Sequence, residues 1–285
     1  MTGFDLHDPV AAPELLLNPT VRDSVRLIDA RAGTAGRTAY AERHLEAALH
    51  ADLDRELAGA AEDPSHGGRH PLPDLEKFAL TLGAWGIGDH TPVVIYDDQK
   101  GANAAARLWW MLRAVDHRPV WVLDGGYDAA VAAGLPTSAE VPTITLGEAY
   151  PVPDDWVLPT IDIGAVFHAR TDPAWRLVDV RAPFRFLGER EPIDPVAGHI
   201  PGAHNIFYEE NLDERGRFLP ADVLRSKYLA FLGDISPEQL VVQCGSGVTA
   251  CHTLLALTRA GLDGAALYVG SWSEWCRREG TPREP

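Results

Sequence analysis

Residues 26–33 read RLIDARAG and residues 176–183 read RLVDVRAP, so one short run is written twice in this chain. Each copy opens on aliphatic residues typical of a buried strand. Three further correspondences follow in the same order. HLEAA (44–48) returns as HIPGA (199–203), TPVVIYDDQ (91–99) is echoed by QLVVQCGSG (239–247), and VLDGGYDAAVAAGLP (122–136) by LYVGSWSEWCRREGTP (267–282). Units of this size are too large for a solenoid and read as two homologous domains. A length of 285 residues fits two domains of ordinary size.

The repeat places one domain over residues 1–137 and the other over 157–285. Residues 138–156 carry several prolines and no helical period, and read as an extended linker. Within each copy, β-branched runs such as RLVDV and QLVVQ alternate with helical stretches such as ADVLRSKYLAFLG (221–233) and TACHTLLALTRAG (249–261). Strands separated by helices imply a parallel sheet with helices on both faces, so the expected class is α/β.

Composition narrows the function. Lys and Arg number 25 against 41 Asp and Glu, a formal net charge of −16, which speaks against a nucleic-acid or anionic membrane surface. No run approaches the ~20 apolar residues of a membrane span, and MTGFDLHDPV lacks the basic and apolar regions of a signal peptide. The expected location is cytoplasmic. The three cysteines, at 244, 251 and 276, offer neither a disulfide framework nor a Cys-x-x-Cys metal pair. No metal or organic cofactor is expected.

Cys244 falls where a strand gives way to a helix, the end of a parallel sheet at which ligands bind. The loop Gly245-Ser246-Gly247-Val248-Thr249 then turns into the helix. Its two glycines are expected at positive φ, with backbone N–H groups and the helix N-terminus forming an anion site that favours a thiolate. A phosphatase would need an arginine six residues after the cysteine, and that position is Ala250. The cysteine position of the first copy falls on Tyr96 or Asp97, depending on one gap.

CGSGVTA (244–250), GHIPGA (198–203), GSWSEW (270–275) and the tandem arrangement resemble the rhodanese superfamily, specifically its two-domain thiosulfate and 3-mercaptopyruvate sulfurtransferases. The resemblance implies two rhodanese-like domains, the first inactive, and a Cys244 persulfide that passes sulfur from a small-molecule donor to cyanide or a thiol acceptor such as thioredoxin. The neutral loop resembles the 3-mercaptopyruvate type, in which Ser246 belongs to a relay. By the same resemblance His70 and Asp54 complete that relay, with Asp52, Asp63 and His66 as nearby rivals. Arg185 matches the substrate arginine, beside the loop residues Gly245, Gly247, Val248 and Thr249.

The mercaptopyruvate pattern has a second arginine nine residues after the first. Here that position is Asp194, which would repel an anionic donor, and Arg190 is the basic residue offered by the same loop. Thiosulfate as donor, or a sulfur carrier that turns over free donors poorly, are the alternative readings. Asp179 with Arg181, and His199, are expected to be structural.

Overall fold

The strands Arg26–Asp29 (β2) and Arg176–Asp179 (β8) hold equivalent places in two parallel sheets. The computed structural model describes residues 3–144, 147 and 150–285. They form two compact units. The first comprises the described residues of Met1–Gly59, Pro73–Val157 and Glu214–Phe218; the second comprises Ala60–Leu72, Leu158–Asp213 and Leu219–Pro285.

In the first unit the strands are Val10–Ala11 (β1), β2, His44–Leu45 (β3), Leu49–His50 (β4), Val93–Tyr96 (β5), Val120–Leu123 (β6) and Thr137–Ser138 (β7). Its helices are Pro19–Arg22 (α1), Gly33–Glu42 (α2), Leu75–Ala84 (α3), Ala104–Ala114 (α4) and Gly126–Ala132 (α5). The sheet order is β1-β6-β5-β2-β4, all parallel, and β3 pairs with β7 in a small antiparallel ribbon.

The second unit contains β8, Ala203–Asn205 (β9), Leu240–Gln243 (β10) and Ala266–Leu267 (β11), with helices Ile163–Ala169 (α6), Pro183–Phe186 (α7), Ala221–Leu232 (α8), Ala250–Arg259 (α9) and Ser271–Trp275 (α10). Its order, β11-β10-β8-β9, repeats β6-β5-β2-β4 of the first unit, again all parallel. Every residue of β5 and β10 is buried, as a central strand covered on both faces requires. The chain is α/β, with the parallel-sheet core written twice.

Strand register settles the ambiguity at the first copy's cysteine position. Asp29 is opposite Tyr96 and Asp179 is opposite Gln243, so Tyr96 corresponds to Gln243 and Asp97 to Cys244. Each sheet also carries the same buried ion pair after its second-copy or first-copy strand. Arg31 reaches Asp29 at 2.7 Å and the Arg43 carbonyl at 2.7 Å; Arg181 reaches Asp179 at 2.6 Å and the Gly198 carbonyl at 2.8 Å. These arginines tie the loop after the strand to the next segment of chain.

Of the linker expected over 138–156, Thr145, Leu146, Glu148 and Ala149 lie outside the described residues. Other parts of it are anchored in the first unit. Tyr150 is buried with its hydroxyl 3.1 Å from His117 Nδ1, and the Trp156 ring lies 5.7 Å from Phe78 and 6.1 Å from Trp110. Among the described residues no helix is long and apolar enough to cross a membrane.

Candidate active site

Cys244 directly follows β10 and is buried. Its N–H donates to Ser271 Oγ at 3.1 Å, its carbonyl accepts from Trp272 N at 3.1 Å, and the Gly245 carbonyl accepts from Ser273 N at 2.9 Å. The start of α10 therefore clamps the backbone of the cysteine loop. Trp272 and Trp275 are buried, and their indole N–H groups donate to the carbonyls of Val196 and Pro282, so both rings are core rather than cleft walls.

The two loop glycines serve different ends. Gly247 has φ 71°, and a Cβ there would lie 2.4 Å from the Val269 carbonyl oxygen, so the turn requires glycine. Gly245, expected at positive φ as well, is not. A Cβ on Gly245 would instead lie 3.2 Å from Arg69 Nη2 and 3.4 Å from Arg185 Nη2. Its smallness leaves room beside two guanidinium groups. Val248 is buried, Thr249 stands at the N-cap of α9, and their carbonyls accept from Cys251 and His252 N–H. Cys251 sits beneath the loop with Sγ 3.4 Å from the Gly247 carbonyl oxygen, and Cys276 is likewise a buried thiol.

Ser246 is buried, and its Oγ lies 2.8 Å from His70 Nδ1. His70 reaches it because residues 60–72, although they belong to the first repeat in sequence, are part of the second compact unit. That segment is pinned to α10 by Gly67 N–H donating to Glu274 Oε1 at 3.0 Å and Arg69 N–H donating to Ser273 Oγ at 3.1 Å. The rivals named from sequence are engaged elsewhere. His66 is exposed and pairs with Asp63 at 3.3 Å, while Asp52 is buried against Arg37 at 2.6 Å. Asp54 belongs to the first unit, is exposed, and donates its N–H to Asp52 Oδ1 at 3.0 Å.

Arg185 is held by a buried carboxylate. Its Nε and Nη2 donate to Glu191 at 2.9 and 2.7 Å, the two-point geometry in which a guanidinium matches a carboxylate. Burial would raise the Glu191 pKa, but hydrogen bonds from Arg185 and from the backbone of Asp194 and Ile193 hold it below the usual carboxylate value. Arg190 does not join this cluster; it is exposed and lies over the Phe184 ring at 5.5 Å. Arg181 does sense the site. Burial alone would lower its pKa, but Asp179, Glu191 and the Cys244 sulfur raise it.

Asp194 is neutralised rather than repulsive. Its buried carboxylate accepts from Arg277 Nη1 at 2.8 Å and Arg69 Nε at 3.1 Å, with Arg185 Nη2 at 3.5 Å. Sequence reasoning passed over Arg69 and Arg277. Arg69 stands next to His70, and that adjacency was the one signal available. His199 is structural, its Nδ1 2.8 Å from the Phe186 carbonyl oxygen and its ring stacked on Phe186 at 3.7 Å.

At the equivalent position of the first unit, the buried Asp97 carboxylate accepts from the N–H groups of Gln99, Gly101, Asn103 and Ala105, at 2.8 to 3.2 Å. The loop N–H groups thus bind an anion that belongs to the chain itself. Among the described residues no group of three or more His, Cys, Asp or Glu is arranged to hold a metal ion.

The chain is similar to known proteins over most of its length. Rhodanese-like domains match residues 12–133 and 166–278. The chain is 45% identical over 251 residues to a probable 3-mercaptopyruvate sulfurtransferase of Pseudomonas aeruginosa, covering 88% of this chain and 86% of the relative. It is 36% identical to a putative thiosulfate sulfurtransferase of Mycobacterium tuberculosis, covering 93% of each. The solved structure of 3-mercaptopyruvate sulfurtransferase from Leishmania major superposes with a TM-score of 0.79 at 28% identity, covering 94% of this chain and 74% of that one. This chain belongs to the rhodanese family of sulfurtransferases, with one rhodanese-like domain in each half.

Proposed function

We propose that this protein takes a sulfane sulfur from 3-mercaptopyruvate and passes it to a thiol or cyanide through a persulfide on Cys244. The observation that carries this reading is the 2.8 Å contact between His70 Nδ1 and Ser246 Oγ, two residues beyond Cys244. A hydroxyl backed by an imidazole can relay a proton, which a hydroxyl alone does poorly. Mercaptopyruvate needs such a relay.

The chemistry balances without an outside reagent. The Cys244 thiolate attacks the donor sulfur, the bond between that sulfur and donor carbon 3 breaks, and its electron pair forms the pyruvate enolate. The donor thiol proton, taken up through Ser246 and His70, is returned to carbon 3. Pyruvate leaves and Cys244 carries S–S⁻. An acceptor thiolate or cyanide then attacks the outer sulfur, and the Cys244 thiolate is restored. Arg185 binds the donor carboxylate, and Gly245, Gly247, Val248 and Thr249 shape the loop around the reacting sulfur.

The first domain, with Asp97 at the cysteine position, carries no sulfur in this scheme. Thioredoxin or a low-molecular-weight thiol is the acceptor, in a cytoplasmic setting that suits three free cysteines. Asp54→Asn tests the third relay member implied by the resemblance. Thiosulfate is the competing donor, favoured by the two guanidinium groups beside Gly245, since it is a dianion.

Parallel steady-state kinetics with 3-mercaptopyruvate and thiosulfate, with cyanide as acceptor, separate the two. A kcat/KM preference for mercaptopyruvate that disappears in Cys244→Ser is expected. A preference for thiosulfate would transfer the proposal to that donor and remove the relay role of Ser246.

A further inference from the structure

We infer that Glu284 is a positioning residue for donor binding, its main chain clasping the loop that orients Arg185. This rests on the proposed function, in which Arg185 binds the donor carboxylate. Arg185 lies on α7, a single turn of four residues, and a turn that short does not persist on its own propensity. Packing has to hold it. At its end stands His199, whose Nδ1 lies 2.8 Å from the Phe186 carbonyl oxygen and whose ring stacks on Phe186. His199 is in turn bridged to Glu284 as an antiparallel pair. The His199 N–H donates to the Glu284 carbonyl at 2.8 Å, and the Glu284 N–H donates to the His199 carbonyl at 3.1 Å.

Glu284 and Pro285 also close the base of a loop. Residues 189–197 supply Glu191, the carboxylate that fixes Arg185, and Gly188 and Gly198 stand at the two ends of that loop. A Cβ on Gly188 would lie 3.1 Å from Pro285 Cα and 3.5 Å from Gly198 Cα, and one on Gly198 would collide with the Glu284 carbonyl oxygen. The two loop ends thus meet against the main chain of Glu284 and Pro285, and their lack of side chains is what seats it. From the core side, Arg181 Nη2 holds the Gly198 carbonyl at 2.8 Å. The Glu284 side chain adds little. It is 58% exposed, and its carboxylate lies 3.6 Å from His199 Nε2, an ion pair of the kind that water screens.

The test compares Glu284→Pro, which removes the N–H given to His199, with Glu284→Ala, which keeps it, and with deletion of residues 283–285. The deletion spares Pro282, whose carbonyl accepts from Trp275 Nε1. The first readout is amide hydrogen exchange by mass spectrometry. Residues 183–199 should exchange about tenfold faster in Glu284→Pro and in the deletion, while β8 and β10 keep wild-type protection. The second readout is KM against kcat for 3-mercaptopyruvate. A loop that holds Arg185 in place about one-tenth of the time weakens apparent donor affinity roughly tenfold, so KM should rise by about that factor with kcat changed far less. Glu284→Ala should stay within about twofold of wild type in both readouts.

Wild-type exchange over residues 183–199 in Glu284→Pro would overturn the clasp. Faster exchange with an unchanged KM, or a fall in kcat at unchanged KM, would overturn the positioning role. Equal effects of Glu284→Ala and Glu284→Pro would refute a contact made by the main chain. Should the deletion unfold the chain, the proline and alanine variants still decide. The two levels of the proposal fail separately. Wild type that forms no Cys244 persulfide from mercaptopyruvate refutes the donor, while exchange, read without any donor, still decides whether Glu284 clasps the loop.

Discussion

His70 Nδ1 stands 2.8 Å from Ser246 Oγ, although the two residues are 176 positions apart in the chain. The pair is built by a segment of the first repeat that belongs structurally to the second unit, and it sets an imidazole against the hydroxyl of the loop after Cys244.

The pair should act as a unit. Ser246→Ala and His70→Ala are each expected to lower kcat with 3-mercaptopyruvate by roughly 10²- to 10⁴-fold, and the double variant to be no slower than the worse single one. Thiosulfate turnover, which needs no carbon protonation, should suffer much less in Ser246→Ala. Equal losses with both donors would sink the relay.

Gly68 is expected to control this contact from a distance. It has φ 78°, and a Cβ would lie 2.4 Å from the Gly270 carbonyl oxygen, whereas at Gly67, φ 84°, the nearest atom is Pro71 Cβ at 3.4 Å. Both changes to alanine carry a left-handed backbone cost of about 1 kcal/mol, but only Gly68→Ala adds a backbone clash. Gly68→Ala should loosen residues 60–72, raise their sensitivity to proteolysis and depress mercaptopyruvate turnover toward that of His70→Ala. Wild-type turnover in Gly68→Ala would mean that the segment's docking does not matter to catalysis.

Glu191 should matter through Arg185. Because the Glu191 pKa is depressed in the folded protein, its pairing stabilises fully above the ordinary value of 4.5 and is lost as pH falls through the lower folded value. Glu191→Gln, which weakens the two-point contact, should cost about 1–3 kcal/mol at pH 7 and raise KM for the donor. The stability gap between wild type and Glu191→Gln should narrow below pH 4.5, read by urea titration. A gap independent of pH would rule out a charged pair.

His252, on α9, is fully buried and its pKa is pushed down to about 3, first by desolvation and then by the Lys227 charge. The unfolded chain binds this proton near pH 6.5 and the folded one does not. Stability is therefore expected to fall as pH drops below about 6, by up to ~1.4 kcal/mol per unit from this residue, until the folded value is reached. Denaturant titrations from pH 7 to 4 should show the slope, and His252→Leu should reduce it by about one proton. An unchanged slope would place the titration elsewhere.

Much of the fold was legible because it rests on local patterns. Aliphatic runs such as RLIDA and RLVDV bury on both faces whatever surrounds them, and a duplicated order of strands and helices implies a duplicated sheet. The cysteine at a strand end, the Gly247 turn and the strand-end pair of Asp179 and Arg181 depend on near neighbours, and they could be read in one dimension. Which first-copy residue matches Cys244 could not, because hydrogen-bond register across the sheet decides between Tyr96 and Asp97.

The sequence by itself therefore determined the α/β class, the duplicated domain, the family resemblance and the candidate nucleophile. Only the tertiary structure decided that residues 60–72 belong to the second unit, that His70 rather than His66 meets Ser246, and that Arg69 neutralises Asp194 across 125 positions. The physical reason is that backbone propensity and burial pattern act over a few residues. The partner of a buried charge is chosen instead by long-range packing, where an acid that looks repulsive in sequence can be the group that holds an arginine in place.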